Sequence, residues 1–267
     1  MALELQTFSS SAEASAALRG GGKSYLGGGS LVVRAVNEGD VRITGYVRST
    51  DKALTSIATD GGRARLGASV TMAQVVGCEA LSELAPAAKL IGGPAVRNVA
   101  TVGGNLFARS PFGDFTVALL ALGATVHFTD GEMDIDAFLA ARETVTDERG
   151  IVVAVSFDIP PSGRFRFLKI SRVKPKGVAV LTIAAAIGTD AKGTISEARI
   201  ALGCMSDRPI RAEAAEKALV GSELSESGIA GAVDVIGEGT APITDPIASS
   251  WYRAEVLPVH FRRLMLD

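Results

Sequence analysis

Cysteine is scarce: Cys78 and Cys204 are the only two in 267 residues. Two thiols cannot hold a four-thiolate iron–sulfur cluster within the chain, and two ordinary buried cysteines are the expectation. Histidine is equally scarce, and neither His127 nor His260 has a close cluster of cysteines or carboxylates around it. The sequence thus lacks the donor set of a protein-ligated metal centre. No uninterrupted apolar run approaches the roughly 20 residues that span a bilayer. The first 15 residues carry acidic groups and no basic region ahead of an apolar run, unlike a secretory leader. A soluble cytoplasmic protein with no membrane insertion is expected. Excess charge is missing too. With 27 basic and 29 acidic residues the formal net charge is −2, which gives no electrostatic reason for a nucleic acid or an anionic membrane as partner. Internal repeats and low-complexity tracts are not apparent.

What is present is a 47% hydrophobic chain long enough for two domains, punctuated by glycine at 20–22, 27–29, 92–93 and 103–104. Leu66, Ala68 and Val70 alternate as a half-buried strand does. Thr71-Met72-Ala73-Gln74 then offers a capping box for a helix running toward Leu84, with Pro86 just past its end. Residues 114–122 read as a buried helix with Asp114 a candidate N-cap. Residues 124–129 read as a strand, Asp130-Gly131 as a hairpin turn, and Asp136 as the cap of a short helix. Val153, Val155, Phe157 and Ile159 alternate up to Pro160-Pro161-Ser162-Gly163, a polar, rigid junction that marks a domain boundary. The chain is accordingly expected to divide into 1–161, itself in two parts split near 52, and 162–267.

Beyond the boundary, residues 165–173, 178–187 and 195–202 predict a three-stranded antiparallel sheet. Residues 212–220 and 226–236 predict two amphipathic helices. A last helix starts near Ser249-Ser250, with Pro258 placed to kink or divide it. Helices segregated onto antiparallel or mixed sheets give an α+β class.

The glycines do not fit the common nucleotide loops. Gly22-Lys23-Ser24 ends like a phosphate-binding P-loop, but Ala17 stands where the first loop glycine belongs. Tyr25 and Val32 occupy the third glycine position of a Rossmann fingerprint. What remains is a pair of similar turns, Leu26-Gly27-Gly28-Gly29-Ser30 and Thr101-Val102-Gly103-Gly104-Asn105, each after residues able to form a short strand. Consecutive glycines let backbone N–H groups converge on a diphosphate without Cβ obstruction, and Ser30, Thr101 and Asn105 add side-chain hydrogen bonds. Two plain tight turns are the alternative.

The stretch from Ile91-Gly92-Gly93-Pro94-Ala95-Val96-Arg97-Asn98 through Thr101-Val102-Gly103-Gly104-Asn105-Leu106 to Ser110-Pro111-Phe112-Gly113-Asp114 decides between them. It resembles the signature of the FAD-binding (medium) subunits of the molybdenum hydroxylase or xanthine dehydrogenase family, which includes carbon monoxide dehydrogenase flavoprotein subunits. Leu26 to Leu31 resembles the family's first pyrophosphate loop, residues 169–186 its C-terminal strand pair, and 250–263 its closing helix. The resemblance spans essentially the whole chain. It implies a two-part FAD-binding domain of the vanillyl-alcohol-oxidase type, followed by a smaller flavoprotein C-terminal domain.

It further implies that Leu26, Gly27, Gly28, Gly29, Ser30 and Leu31, with Thr101, Val102, Gly103, Gly104 and Asn105, hold the FAD pyrophosphate. Asp114 would bond the cofactor near its ribityl or ribose part, and Ile91 and Val96 would line the flavin or adenine pocket. Lys169 and Arg172 border the flavin cleft or a subunit interface, or are solvated strand charges. Arg97 and Asn98 read as structural, the arginine pairing with a carboxylate to hold its loop. Two departures stand out: residues 36–50 lack the usual basic stretch, and Val173 and Gly177 replace an expected arginine and aspartate.

The implied activity is electron transfer from iron–sulfur clusters of a small partner subunit, through FAD, to a terminal acceptor. A large molybdopterin-binding partner would hydroxylate the substrate, and the heterotrimer could double. The rivals are a self-contained FAD-dependent oxidoreductase of the same fold and a non-enzymatic assembly subunit.

Overall fold

A computed structural model of the protein describes residues 3–19, 21–174 and 177–267. Gly20, first of the 20–22 glycine triplet, lies outside them. Three sheets organise the chain. Strands β1 (Glu4–Phe8), β2 (Lys23–Tyr25) and β3 (Gly45–Ser49) form a parallel sheet in the order β1-β3-β2. Helix Ser11–Leu18 links β1 to β2, which lie on opposite sides of the central β3. Ser10 caps it by accepting from the N–H groups of Ala12 and Glu13, and Ala14 buries against Val47 and Ile151.

Strands β4 (Ile57–Asp60), β5 (Arg63–Gly67), β6 (Thr125–Phe128), β7 (Glu132–Asp134) and β8 (Val152–Asp158) make an antiparallel sheet in the order β4-β5-β8-β6-β7. The hairpin at Asp130-Gly131 joins β6 to β7 as the turn residues predict, with Gly131 at φ 87°. The capping box at Thr71 and Gln74 also forms. Its helix is shorter than expected, though, running only over Met72–Gly77 before a 3₁₀ turn at Glu79–Leu81. Pro86 opens the next helix, Ala85–Lys89, where its missing N–H goes unneeded. Strand β5 stops at Gly67, short of the alternation at Ala68 and Val70. The carbonyls of those two residues accept from Gly103 and Val102 instead, which ties this strand end to the second glycine loop. Asp134, not Asp136, occupies the N-cap of helix Ile135–Ala141, and Asp136 sits in its first turn.

The last sheet has four antiparallel strands where three were expected: β9 (Phe165–Ser171), β10 (Ala179–Thr189), β11 (Ile195–Gly203) and β12 (Ile210–Arg211), in the order β12-β11-β10-β9. The fourth pairs only Ala201 with Arg211 and Leu202 with Ile210, too short a ladder for alternation to register in sequence. Helices Glu213–Leu219, Ala230–Val235 and Ser250–Leu266 close over this sheet through Leu181, Ile183, Leu219, Leu257 and Phe261. The last helix starts at the Ser249 cap and continues through Pro258 to Leu266, undivided by the proline. Arg166 on β9 holds its end, donating to the carbonyls of Leu264 and Met265 at 2.8 and 2.7 Å. Together these elements give a mixed α/β fold. Among the described residues no helix is long and apolar enough to cross a membrane, and no cluster of three metal-ligating side chains occurs.

Helix Asp114–Ala121 packs onto the last sheet. All eight of its residues are buried, and it packs against helices Ala85–Lys89, Val102–Leu106 and Ile135–Ala141 as well as against β10 and β11. Beside it Cys204, at φ 65°, is pushed up to about 11 by burial and by the Asp114 carboxylate. Its unfolded counterpart ionises near 9.0. A raised folded value means that this thiol's contribution is fully present below pH 9 and lost as pH rises through 11. We expect the unfolding free energy of the wild-type protein to fall across that window by up to about 1.4 kcal/mol per pH unit more than that of Cys204→Ala. Parallel curves would show that the thiol ionises as freely folded as unfolded.

Candidate functional site

The first glycine loop leaves the parallel sheet abruptly. Leu26 is still tethered to β3 by donating to the Val47 carbonyl at 2.7 Å, whereas the chain from Gly27 onward turns toward helix Val32–Asn37, with Leu31 at its N-cap. Gly29, at φ 77°, makes that turn. Among the described residues no backbone carbonyl accepts from the N–H groups of Gly27, Gly28, Gly29, Ser30 or Leu31. Five consecutive amides are therefore left for another acceptor.

The second loop is built differently. Thr101 caps helix Val102–Leu106, its Oγ1 accepting from the Gly104 N–H at 3.0 Å. The Asn105 N–H and Nδ2 both donate to the Thr101 carbonyl, at 3.0 and 2.9 Å. Val102 and Gly103 donate at 2.8 Å to the carbonyls of Val70 and Ala68. Sequence reasoning expected amides from both loops to converge, but this loop's amides from 102 to 105 are consumed within the fold. Val102 is wholly buried in the core, and the Asn105 carbonyl accepts from Thr116 Oγ1 at 2.8 Å.

The loops nevertheless meet. A Cβ on Gly28 would lie 1.5 Å from the Val99 carbonyl oxygen, so its Cα sits directly on the stretch of chain leading into the second loop. A Cβ on Gly27 would come within 3.1 Å of Thr101 Oγ1, and one on Gly104 within 3.0 Å. Glycines from both loops thus clear space around one hydroxyl, which accepts from Gly104 and keeps its own proton to donate. A row of free amides that starts at this hydroxyl, with no Cβ atoms from 27 to 29, fits a diphosphate with no cation required.

Ile91 packs at the edge of the main core, while Val96 is 39% exposed and leans on Gly92. Asp114 is not the N-cap of its helix; Gly113, at φ 87°, is. The Asp114 carboxylate instead reaches the C-terminal sheet, accepting from Thr182 Oγ1 and Lys169 Nζ, each at 2.7 Å. Lys169 is therefore no solvated strand charge. Its side chain is 6% exposed, and it also donates to the Leu90 carbonyl at 3.1 Å. Arg97 is structural as expected, but it holds carbonyls in place of a carboxylate. Arg172 and Asn98 are exposed. Thr182 went unnoticed in the sequence because a threonine within an apolar strand carries no signal of its own.

Comparison with known proteins shows which family the chain belongs to. Residues 2–161 match the family described as the FAD binding domain in molybdopterin dehydrogenase, and 166–267 match the CO dehydrogenase flavoprotein C-terminal domain. The carbon monoxide dehydrogenase medium chain of Afipia carboxidovorans is 28% identical over 220 residues, 79% of this chain and 76% of that one. The glyceraldehyde dehydrogenase medium chain of Sulfolobus acidocaldarius is 28% identical over 179 residues, 65% of this chain and 63% of that one. The fold is shared with the carbon monoxide dehydrogenase from Hydrogenophaga pseudoflava that lacks the Mo-pyranopterin moiety of its cofactor. The TM-score is 0.91 at 24% identity, covering 99% of this chain and 96% of that one.

Proposed function

Because the chain belongs to the family of FAD-binding domains of molybdopterin dehydrogenases, we propose that it is the electron-transfer subunit of a heteromeric molybdenum hydroxylase. It is an FAD-dependent oxidoreductase subunit, similar to the medium chains of carbon monoxide and xanthine dehydrogenases. In our reading a small partner with [2Fe–2S] clusters delivers electrons, and a large molybdopterin-binding partner hydroxylates the substrate. The heterotrimer is able to double, and the complex works in the cytoplasm. Residues 1–161 form the FAD-binding domain, of vanillyl-alcohol-oxidase type and split near 52, and 162–267 form the C-terminal domain.

The observation that carries this reading is the meeting of Gly28 with Val99, which sets the first loop and its five free amides against the segment leading to Thr101, with Gly27 next to the Thr101 hydroxyl. Gly27 to Leu31 would donate to the diphosphate oxygens. Thr101 would donate its hydroxyl proton there, while Val102, Gly103 and Asn105 hold that hydroxyl's loop in place. Ile91 and Val96 would offer apolar cover to the ring system. Asp114 would accept from a sugar or ribityl hydroxyl on lone pairs left free by Thr182 and Lys169. When bound, FAD accepts and releases electrons singly or in pairs, so this chain needs to hold and tune the cofactor and requires no catalytic triad.

Untagged protein purified from its native host should carry stoichiometric FAD and co-migrate with a larger molybdenum-containing chain and a smaller iron–sulfur chain. A colourless protein that takes up no added FAD would refute the cofactor reading. A yellow chain that migrates alone and oxidises a substrate itself would refute the partnership.

A further inference from the structure

Four consecutive carbonyls, those of Lys89, Leu90, Ile91 and Gly92, are gathered by two cations. Arg97 Nη1 donates to Gly92 at 2.8 Å and Lys89 at 3.0 Å, with Ile91 further off at 3.4 Å, and Lys169 takes Leu90 at 3.1 Å. In a trans peptide the C=O of one residue and the N–H of the next point in opposite directions. The carbonyl of Gly92 faces Arg97, so the N–H of Gly93 faces away from it. By the same geometry, the Ile91 carbonyl turns the Gly92 N–H away. Neither amide has a backbone acceptor among the described residues. Gly92 adopts φ 49°, and a Cβ there would strike Val96 at 2.8 Å, so this turn requires glycine. Two neighbouring donors thus point from one side of a pinned turn whose flanking residues, Ile91 and Val96, stand at the candidate ring pocket.

We propose that the Gly92 and Gly93 amides form a two-donor edge for the acceptor edge of the flavin ring, and that Arg97 is the positioning residue that aims them. The inference rests on the proposed binding of FAD by this chain. A flavin presents two such acceptor edges, each pairing a ring nitrogen with a carbonyl, and hydrogen bonds to the ring nitrogens tune its electronics. Arg97 suits this role because a guanidinium can share its hydrogens among carbonyls in fixed directions, which a carboxylate partner would have prevented.

The test uses the purified flavoprotein, in whatever assembly it is isolated, and reads the midpoint potential and visible spectrum of the bound flavin. Flavin bound to the wild-type protein establishes the parent reading, whatever the variants then do. Arg97→Met should retain FAD, because the diphosphate loops are untouched, but change the ratio of affinities for reduced and oxidised flavin about tenfold, or about 30 mV for a two-electron couple. The sign of the shift identifies which acceptor edge the amides meet. Arg97→Lys, still able to donate to carbonyls, should restore most of the wild-type value. Gly93→Pro removes one donor outright at a φ of −89°, near the range proline accepts, while Gly93→Ala keeps it. The proline variant should shift the potential and the alanine variant should not, which decides the matter even if Arg97→Met fails to fold. Unchanged potential and spectrum in Arg97→Met, or equal behaviour of the two Gly93 variants, would overturn the proposal.

Discussion

Replacing Gly28 with alanine should weaken FAD binding about 100-fold or more, the largest effect expected of any single methyl group in this chain. The added Cβ would fall 1.5 Å from the Val99 carbonyl oxygen and 2.5 Å from its carbon. Both are backbone atoms, so no side chain can rotate out of the way, and the loops must separate by roughly 2 Å to restore van der Waals contact. That separation carries the free amides of 27–31 away from Thr101. Each hydrogen bond to a charged phosphate oxygen is worth about 1.5–3 kcal/mol, so two displaced bonds account for the predicted loss. Gly104→Ala should do less, since its Cβ would meet only the Thr101 hydroxyl at 3.0 Å. Gly77→Ala is the control: nothing lies within 4 Å of its Cβ position, and it should bind FAD as the wild type does. Flavin absorbance per chain after desalting, with circular dichroism to confirm folding, checks all three. Full occupancy in Gly28→Ala would remove the proposed diphosphate site.

This ranking could not have been drawn from the sequence. Both loops read alike there, each a run of glycines followed by a polar residue, and the family resemblance assigned them the same task. What separates them is partnership at long range. Ala68 and Val70 continue past the end of β5 and capture the amides of the second loop, whereas the first loop leaves its sheet at Leu26 with no strand beside it. Local pattern carries the hairpin at Asp130-Gly131, the cap at Thr71 and the buried helix after Gly113, because each depends on residues a few positions apart. It does not carry strand β12, whose two residues exhibit no period. Nor does it reveal the burial of Lys169, which comes from a contact with Asp114 55 positions away.

That contact leads to the second large effect. Lys169→Met should destabilise the protein by about 3–5 kcal/mol, the usual consequence of stripping one partner from a buried ion pair. The two side chains are only 6% and 8% exposed, so solvent cannot compensate the carboxylate left behind, and Thr182 alone supplies one hydrogen bond. Asp114→Asn should also destabilise, because it removes the ammonium's counter-charge and leaves one acceptor oxygen where Lys169 and Thr182 used two. The double variant, Asp114→Asn with Lys169→Met, removes both charges together and should recover much of the loss, since buried pairs replaced as a unit are often close to neutral. Thermal denaturation of the four proteins yields the coupling between the sites. FAD retention then distinguishes the two roles of Asp114. If the carboxylate only docks helix Asp114–Ala121 onto β9 and β10, recovery of stability should bring recovery of flavin. If it also accepts from the cofactor, the double variant should fold well and still release FAD faster than the wild type. The second outcome is the one expected, because the ion pair lies one residue from the Gly113 turn that seats this helix against the Asn105 carbonyl of the second loop.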